Sequence, residues 1–535
     1  MSVLTAAGEP SPRAPDGEVV DEVTRDDSAG VRVRAENGLM AGPPDEVRLA
    51  ELVATLSLGT DLGLGLPMEH VIRLTLIALR LADRLGLGES VRREAYYSGL
   101  LAWVGCHTDA YEQAKWFGDD IAVKREGRFF DSGRPLQAAI FAVRAVGVGQ
   151  TPLARFGTWA RLPAAARHQA FVDLENHWRG ADQLADQLGL GLTIRRSLRE
   201  SFERWDGHGV GGLSGDAVTV TARLVILADV MAAYQATEGP AAAVTVAKER
   251  AGTQFDPELV EVFCQNATEV LADLDAPDNW DKIIDTEPSL GRVLRGDQID
   301  AALGAIGDFA DVKSPFTIGH SRRVADLAGS AAAALELPDA RLVRRAGLVR
   351  DLGRLGVSNA VWDKSGPLTL AETERVRLHP YLTERMLAGS PVLARLGRVA
   401  VQHHERLDGS GYPRGLRAPS ISAEGRVLAA ADRYATLIEE RPHRRPASRV
   451  EAAAALRDDV RAGRLDAASV EAVLGVAGHR VPRRRSYPAG LTTREDEILR
   501  LLTLGLSVKA IANRLTISPK TVGSHAEHSL NRGSV

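Results

Sequence analysis

The stretch His403-His404-Glu405-Arg406-Leu407-Asp408-Gly409-Ser410-Gly411-Tyr412-Pro413 is the most informative part of the sequence. Two adjacent histidines end an apolar helical stripe, and a glycine-rich turn follows them directly. Inward-facing imidazoles bind transition metals, and a glycine-rich turn lets the backbone approach a phosphate. The alternative is a helix that ends in histidines near the negative end of its dipole and continues into an ordinary turn. The pattern favours a metal site.

Other polar residues interrupt apolar helical stripes at intervals of about 25 to 30 residues. Together with the two adjacent histidines, the set is His320, Asp351, His379, His403, His404 and Asp432. This spacing is expected if several helices of a bundle each direct a ligand at one interior site. An unpaired buried carboxylate is costly, so Asp432 requires a cation or strong donors. Mixed imidazole and carboxylate ligands favour Fe, Mn or Zn over Mg or Ca.

The composition is typical of a helical protein with several domains. The chain has 535 residues, of which 44% are hydrophobic and 5% aromatic, and its formal net charge is −4. This length exceeds one core, and the abundance of Ala, Leu and Arg favours helices over a β-sandwich. The small net charge excludes attraction of the whole chain to nucleic acid or a membrane, so any such surface must be local. The predicted fold class is all-α.

The sequence also predicts the compartment. The two cysteines, Cys106 and Cys264, offer no disulfide framework, and the first residues lack the basic and apolar regions of a secretory signal. No apolar run reaches the roughly 18 residues that a membrane helix needs. We therefore expect a reducing, cytoplasmic environment and no membrane partner.

An internal repeat defines the predicted domain organisation. The segment Glu203–Gly209 matches Glu405–Gly411, and Asp229 and Asp432 follow the two glutamates by 26 and 27 residues. The predicted organisation is a disordered acidic tail over residues 1–46, a first helical domain over 47–274, a linker over 275–288, a second helical domain over 289–478, a basic linker over 479–490 and a C-terminal segment over 491–535.

The C-terminal segment has the signals of three short helices. Ser507 can cap the second, and Ser518-Pro519 supplies an N-cap and a proline at the first helical position of the third. From Arg480 onward, ten Lys and Arg residues stand against four Asp and Glu residues, a local excess of +6. This excess supplies a phosphate-binding surface that the whole chain lacks.

The stretch from His403 to Pro413 resembles the HHExxDGxGYP signature of the HD-GYP family, a helical subgroup of the HD metal-dependent phosphohydrolases associated with hydrolysis of cyclic di-GMP. The resemblance implies two HD-GYP-like bundles, the first degenerate, with the six polar residues of the second as metal ligands. It implies that Asp351 is the shared catalytic ligand and that Arg354 replaces a phosphate-binding lysine. Ligand contacts to a cyclic dinucleotide or another phosphodiester are implied for Arg354, Gly411, Tyr412, Pro413 and Arg414.

One position departs from the family. The family has His-Asp followed by Gly-Lys, whereas this sequence reads Arg350-Asp351-Leu352-Gly353-Arg354. Arginine stays protonated, has no lone pair for a metal and would place a cation beside a dication. One metal shell is therefore incomplete, and Arg350 can instead pair with Asp351 or Asp432. We predict one divalent metal per chain, held by Asp351, His379, His403 and His404, with weak or absent hydrolysis.

The first copy has lost the residues of a dimetal site. Ala102-Trp103 stands where the His-Asp pair belongs, and Ser201-Phe202 replaces the paired histidines. The polar residues that remain at or near these positions are His70, His177, Asp229, His107 and Asp109. A rearranged metal site is one interpretation. A scaffold, a dimer partner or a ligand-sensing module is the other.

The last segment, residues 491–535, resembles the LuxR-type helix-turn-helix over about 40 residues. The resemblance implies DNA contacts from Lys509, Lys520, Thr521, Ser524 and His525. It also implies that a fourth helix is missing, so we expect weak DNA binding unless the tandem domains form a homodimer. Three functions remain open: a phosphodiesterase, a non-enzymatic nucleotide- or metal-sensing regulator of the LuxR type, and a dimerisation module. We prefer an HD-GYP-type regulator with impaired catalysis.

Overall fold

The computed structural model describes residues 46–131, 133–147, 153, 155–158, 176–288, 291–480, 493–515 and 517–532. Residues 1–45 of the predicted acidic tail and residues 481–490 of the predicted basic linker lie outside this part of the chain. The described residues are mostly helical, with one two-stranded sheet, so the predicted all-α class is confirmed. None of the described helices is both long and apolar enough to span a bilayer.

Helices account for nearly all regular structure. Those of the first half are Leu49–Gly63, His70–Arg84, Glu89–Leu100, Ala110–Phe117, Asp120–Gly127, Pro135–Ala145, Leu192–Arg199, Val220–Glu238, Pro240–Glu249, Pro257–Gln265, Ala267–Val270 and Asn279–Asp285. Those of the second half are Asp297–Asp311, His320–Ala334, Ala340–Val349, Asn359–Trp362, Leu370–Arg377, His379–Leu387, Pro391–Ala400, Ala423–Ile438, Arg449–Arg461 and Ala467–Val476. Short 3-10 segments include Val104–His107 and Leu352–Gly356.

Local sequence signals position the helices that carry the candidate site. The hydroxyl of Ser422 accepts a hydrogen bond from the N–H of Gly425 at 3.0 Å and so caps the helix that contains Asp432. Pro391 occupies the first turn of the helix that leads to His403, where no hydrogen bond from its missing N–H is needed. The sequence therefore fixes where these two helices begin.

The two halves share one hydrophobic core. Strand Glu46–Arg48 pairs with strand Val293–Arg295 in an antiparallel sheet, so the starts of both halves are hydrogen-bonded to each other. The main core cluster contains buried residues of the first half and also Leu348, Leu355 and Met386 of the second. Burial of this shared apolar surface stabilises the halves as one body.

The segment predicted as a linker, residues 275–288, is packed. It contains the helix Asn279–Asp285, in which Asn279 and Ile283 are buried. The side chain of Asn279 donates to the carbonyl of Leu274 at 2.6 Å. These contacts do not mark a boundary between two independently packed units. The domain limits that we drew from the sequence therefore stay a prediction.

Several features recur in the two halves. The residues before His70 and His320, which are Glu69 and Gly319, both adopt the left-handed conformation at φ 75°. In the first half, the carboxylate of Asp61 accepts a hydrogen bond from the N–H of Val71 at 3.0 Å. In the second half, Asp311 accepts the corresponding bond from the N–H of Ser321 at 2.8 Å. The turn that leads into the histidine helix is therefore built in the same way twice.

The C-terminal segment forms the three predicted helices, Thr493–Thr503, Val508–Leu515 and Pro519–Arg532. They enclose a small core of their own, in which Ile498, Ile511 and Val522 are fully buried. The hydroxyl of Ser518 accepts a hydrogen bond from the N–H of Thr521 at 3.0 Å, as predicted for the N-cap of the third helix.

Candidate metal centre

The six polar residues singled out in the second half meet in its interior. Two of them, His320 and His379, are the first residues of their helices, and Asp351 directly precedes the 3-10 segment Leu352–Gly356. The ligand atoms form two groups, each with all atoms within 4.8 Å of one another: His379, His403 and His404 in the first, and His320, Asp351 and Asp432 in the second.

The first group is arranged around one oxygen of Asp351. The Nε2 atoms of His379 and His403 each lie 3.4 Å from Oδ1 of Asp351 and 3.3 Å from each other. The ring centroids of His403 and His404 are 4.0 Å apart. Two imidazole nitrogens thus meet one carboxylate oxygen, and His404 lies beside them with its Nδ1 3.9 Å from Oδ2 of Asp432. Imidazoles with a carboxylate are a donor set typical of a divalent transition metal.

Backbone carbonyls orient two of these imidazoles. Nδ1 of His379 donates to the carbonyl of Val376 at 2.5 Å, and Nδ1 of His403 donates to the carbonyl of Ala400 at 2.6 Å. Because a carbonyl only accepts, each neutral ring keeps a lone pair on Nε2 for a metal. Burial also lowers the pKa of His379 and His404, which favours the neutral rings that bind metal.

The second group contains a guanidinium. Arg350 is fully buried, and its Nε lies 3.0 Å from Oδ1 of Asp432 while its Nη2 lies 3.1 Å from Oδ2 of Asp351. Nε2 of His320 is 3.6 Å from Oδ1 of Asp432. Both carboxylates of the group are thus paired with the arginine that the sequence places where the family has a ligand histidine.

Arg350, Asp351 and Asp432 each stabilise the charged form of the others. Burial opposes ionisation of Arg350, but the carboxylates of Asp351 and Asp432 outweigh burial and raise its pKa. Burial likewise opposes ionisation of the two carboxyl groups, and Arg350 nevertheless holds the pKa of both well below the usual range. The three groups are therefore charged together at neutral pH.

The two groups differ in their fitness for a metal. The lone pairs of His379, His403 and His404 and one oxygen of Asp351 suit a single dication. In the second group, a guanidinium without lone pairs is already ion-paired with both carboxylates, and a dication beside it would be repelled. The residues present therefore fit one metal in the first group and do not fit a second metal.

Arg354 joins the site from the following turn. Its Nη1 lies 3.2 Å from Oδ2 of Asp351, and its guanidinium stacks on the ring of Trp362 at 3.9 Å. Thr383 stabilises this turn, since its hydroxyl donates to the carbonyl of Arg350 at 2.9 Å and accepts from the N–H of Gly353 at 2.8 Å. A guanidinium, a group suited to binding phosphate, is thereby held beside the candidate metal ligands.

A cavity of about 620 Å³ opens onto these residues. Its walls include His320, Asp351, Arg354, His404, Tyr412 and Asp432 from the predicted set. They also include Trp362, Lys364, Arg433, Arg441 and Arg444, which the sequence analysis did not single out. The sequence does contain a signal for Arg441 and Arg444. They belong to a cluster of arginines just beyond the helix of Asp432, in Glu440-Arg441-Pro442-His443-Arg444-Arg445.

The glycine-rich turn is built around Glu405. Its buried carboxylate accepts hydrogen bonds from the N–H groups of Arg414 and Leu416, both at 2.8 Å. A side chain at Gly411 would overlap the backbone of Glu405, so the close return of the chain requires glycine.

The predicted ligand-binding residues of this turn are placed differently. The ring of Tyr412 lies 4.7 Å from that of His404 and faces the cavity. The peptide bond between Tyr412 and Pro413 is cis. The guanidinium of Arg414 pairs with Glu384, and Gly411, Pro413 and Arg414 are not among the residues that line the cavity.

The first half has different chemistry at the corresponding position. Trp103 donates its indole N–H to Asp229 at 2.9 Å, and the ring of Phe202 lies 5.4 Å from that of Trp103. Arg128 and His70 also contact Asp229. Among the described residues, no cluster of three potential metal ligands lies in this half, so the rearranged metal site is not found.

In the C-terminal segment, the predicted DNA-contacting residues lie on or near the surface. The side chains of Lys509, Lys520, Thr521 and Ser524 are exposed, and His525 is half-buried. The third helix thus presents a polar face opposite the buried Val522.

Comparisons with known proteins agree with this arrangement. Residues 305–469 match the family described as HD domain, and residues 489–532 match the bacterial regulatory proteins of the luxR family. The chain is 33% identical over 405 residues to the 3'3'-cGAMP-specific phosphodiesterase 3 of Vibrio cholerae, an alignment that covers 74% of this chain and 87% of that protein. It is 40% identical over 134 residues to a cyclic di-GMP phosphodiesterase of Pseudomonas aeruginosa, which covers 24% of this chain and 32% of that protein.

A solved structure extends the likeness to the fold. The crystal structure of a cyclic GMP-AMP-specific phosphodiesterase from V. cholerae superposes with a TM-score of 0.57 at 26% identity, covering 81% of this chain and 98% of that chain. The helical bundle and its interior histidines and aspartates define an HD-type metal-dependent phosphohydrolase. Within this class, the chain belongs to the HD-GYP family of phosphodiesterases, and it carries a LuxR-type segment after the HD domain.

Proposed function

We propose that this chain binds one divalent transition metal through Asp351, His379, His403 and His404 and that it hydrolyses a cyclic dinucleotide slowly. The observation that carries the proposal is the buried guanidinium of Arg350 between the carboxylates of Asp351 and Asp432. It supplies positive charge where a second metal would otherwise be needed to neutralise those carboxylates.

The chemistry explains why turnover is slow. A divalent metal, when bound, supplies a Lewis acid and lowers the pKa of a coordinated water. The guanidinium of Arg350 pairs with carboxylates but cannot activate water, because it has no empty coordination site that could bind a water oxygen and lower its pKa. Arg354, fixed by Asp351 and Trp362, binds a phosphate oxygen. Substrate binding is thus better preserved than water activation.

The cavity supports a cyclic dinucleotide as the substrate class. Its volume of about 620 Å³ lies within the range of pockets that enclose drug-sized ligands. Arg444, whose guanidinium donates to the backbone carbonyls of Thr436 and Leu437, offers a cation to a phosphate. Further cations of the lining, Lys364, Arg433 and Arg441, are shared with the carboxylates of Glu372, Asp459 and Glu439. Trp362 offers an aromatic face for a base. Relatives are named for hydrolysis of 3'3'-cGAMP and of cyclic di-GMP. We propose that one of these two nucleotides, or both, is the substrate.

Metal analysis and a hydrolysis assay on the same preparation test this proposal. We expect about one Fe, Mn or Zn per chain and slow release of linear product from cyclic di-GMP or 3'3'-cGAMP. His443→Ala is a matched control for metal content and should leave it unchanged, because His443 is exposed and belongs to neither ligand group. Rapid turnover by a protein with two tightly bound metals would contradict the proposal.

The second candidate is a regulator that senses a nucleotide or a metal without hydrolysing it. The guanidinium of Arg350 also favours this candidate. A site that holds only one metal can bind a phosphodiester without cleaving the phosphodiester bond. Calorimetry with cyclic di-GMP and 3'3'-cGAMP separates the candidates. Binding without any product after prolonged incubation supports the sensor, and product formation supports the slow enzyme.

We propose that the first half is a degenerate copy of the second, with limits near residues 47–274 and 289–478. Two close approaches support this interpretation. A side chain at Gly105 would overlap the carbonyl of His177, and one at Gly353 would overlap the carbonyl of His379. Gly209 approaches the backbone of Glu203 as Gly411 approaches that of Glu405. Packing of this kind is retained when catalytic residues are lost.

We further propose that the C-terminal segment binds DNA through Lys509, Lys520, Thr521, Ser524 and His525. The local excess of positive charge and the exposure of Lys509 and Lys520 support phosphate contact. Homodimerisation through the helical halves stays a prediction. A gel-shift assay over a range of salt concentrations, with the oligomeric state measured by light scattering, tests both.

A further inference from the structure

The first half contains a cavity of about 300 Å³ at the position that corresponds to the metal centre of the second half. Its aromatic lining comes from Trp103, Phe130, His177 and Phe202. The rings of His177 and Phe202 are 4.7 Å apart, edge to face, and Phe202 meets Trp103 in the same manner. Aromatic side chains have thus replaced the metal ligands at this position, while an open volume has been kept.

His177 is the least satisfied polar group of this cavity. Its side chain is 2% exposed, and neither ring nitrogen has a hydrogen-bond partner among the described residues. Burial lowers its pKa to about 3, so the ring is neutral and offers one donor and one acceptor. A buried polar group without partners is unfavourable unless a ligand or water satisfies it.

The charged groups of the cavity are already compensated within the protein. Arg128 pairs with Asp229, Lys124 lies 3.5 Å from Asp109, and Arg204 donates to Asp131 at 2.7 Å. An anionic ligand would have to compete with these carboxylates for each cation. The lining therefore favours an uncharged ligand over a phosphate ester.

We propose that this cavity binds an uncharged, planar heteroaromatic molecule of the size of a purine nucleoside. The volume is about half that of the second-half cavity, at about 300 Å³ against about 620 Å³, and so suits one nucleoside unit rather than a cyclic dinucleotide. The aromatic walls contact the ring system, and one ring nitrogen of His177 bonds to its polar edge.

Isothermal titration calorimetry of the full chain with guanosine and adenosine tests the proposal. We expect one of them to bind with a stoichiometry of one and GMP or AMP to bind at least tenfold more weakly than the matching nucleoside. His177→Phe keeps the ring volume and removes both nitrogens, and Ser201→Leu fills part of the cavity. Each is expected to weaken nucleoside binding at least tenfold.

Two control variants distinguish binding in the first-half cavity from binding in the second-half cavity. Tyr412→Ala, which alters the second-half cavity, is expected to leave nucleoside binding unchanged. His208→Ala removes an exposed histidine of the first half and should also have no effect. Failure of both nucleosides to bind, tighter binding of the monophosphates, or undiminished binding by folded His177→Phe and Ser201→Leu proteins would each overturn the proposal. None of these results depends on whether the second half hydrolyses its substrate.

Discussion

The Nε atom of Arg350 lies 3.0 Å from Oδ1 of Asp432, and both side chains are buried. The same guanidinium reaches Asp351 at 3.1 Å, so one fixed cation is ion-paired with both carboxylates. In the proposed one-metal centre, His379, His403 and His404 with Asp351 form the complete ligand group, and Arg350 occupies the place of a second metal.

Replacing Arg350 with histidine should raise hydrolysis of the cyclic dinucleotide. The substitution removes the cation and supplies an imidazole lone pair beside Asp351 and Asp432, so that the second group becomes fit for a metal. We expect kcat to rise at least tenfold with Mn²⁺ present, measured by chromatography of the linear product. An unchanged rate in a folded, metal-loaded variant would indicate that this position does not limit catalysis.

Replacing Arg350 with methionine should destabilise the metal-free protein. The variant leaves Asp432 buried without its guanidinium partner and leaves Asp351 paired only with Arg354, and we expect a loss of about 3 to 5 kcal/mol in the free energy of unfolding by urea. Arg461→Met is the control, because Arg461 is 73% exposed in a surface ion pair and should change stability by less than about 1 kcal/mol. Equal effects of the two substitutions would show that the buried pairing contributes little.

Replacing His403 with alanine should remove the bound metal. His403 contributes an Nε2 lone pair, oriented by the carbonyl of Ala400, to the complete ligand group. We expect metal affinity to fall at least tenfold, measured by competition with a chelator. His320→Ala, in the second group, should leave the metal bound, since His320 is no part of the first group. Loss of metal from His320→Ala but not from His403→Ala would reverse the assignment of the two groups.

Asp120 should stabilise the contact between the halves. This fully buried carboxylate accepts hydrogen bonds from the hydroxyl of Ser358 and the N–H of Asn359, both at 2.8 Å, and lies 3.3 Å from the ammonium of Lys313. Asp120→Asn weakens these interactions, and we expect a loss of about 2 to 4 kcal/mol in the free energy of unfolding. The exposed Asp326→Asn is the control.

The pH dependence of this contact follows from the same group. Burial opposes ionisation of Asp120, but Lys313 and Lys124 outweigh it and lower its pKa from the ordinary value of 3.8. Its contribution is therefore complete above about pH 4 and is lost as the pH falls below that value. Asp120→Asn should accordingly lose less stability than the wild type between about pH 5 and pH 3. A steeper loss in the variant would contradict this account.

Replacing Lys520 with alanine should weaken DNA binding through phosphate contact. Lys520 is exposed at the start of the third C-terminal helix. We expect weaker binding to all sequences and a salt dependence reduced by about one unit in slope, measured by fluorescence anisotropy. Lys248→Ala, an exposed lysine of the first half, should leave both unchanged. A sequence-dependent loss would instead indicate that Lys520 contacts bases.

Much of the candidate site follows from helical spacing. Because His320, His379 and Asp432 each interrupt an apolar stripe, their convergence in a bundle was predictable, as was pairing of Arg350 with the neighbouring carboxylates. The contribution of Arg441 was not predicted, because an arginine in a loop after a helix is most often solvated. Its position beside the cavity depends on how the loop folds back.

The packing of the two halves against each other could not be predicted from the sequence. Local periodicity places Leu355 and Met386 inside a core but cannot say that this core also contains helix Leu49–Gly63. The pairing of Val47 with Leu294 joins residues far apart in sequence, and neither three-residue strand has a pattern long enough to recognise. Contacts of this kind depend on tertiary packing.

Metal content of the wild type and of Arg350→His, loaded with excess Mn²⁺ under identical conditions and then desalted, tests the central claim most directly. We predict about one tightly bound metal per chain in the wild type and about two in the variant, measured by inductively coupled plasma mass spectrometry. Two tightly bound metals per wild-type chain would contradict the claim that Arg350 closes the second group.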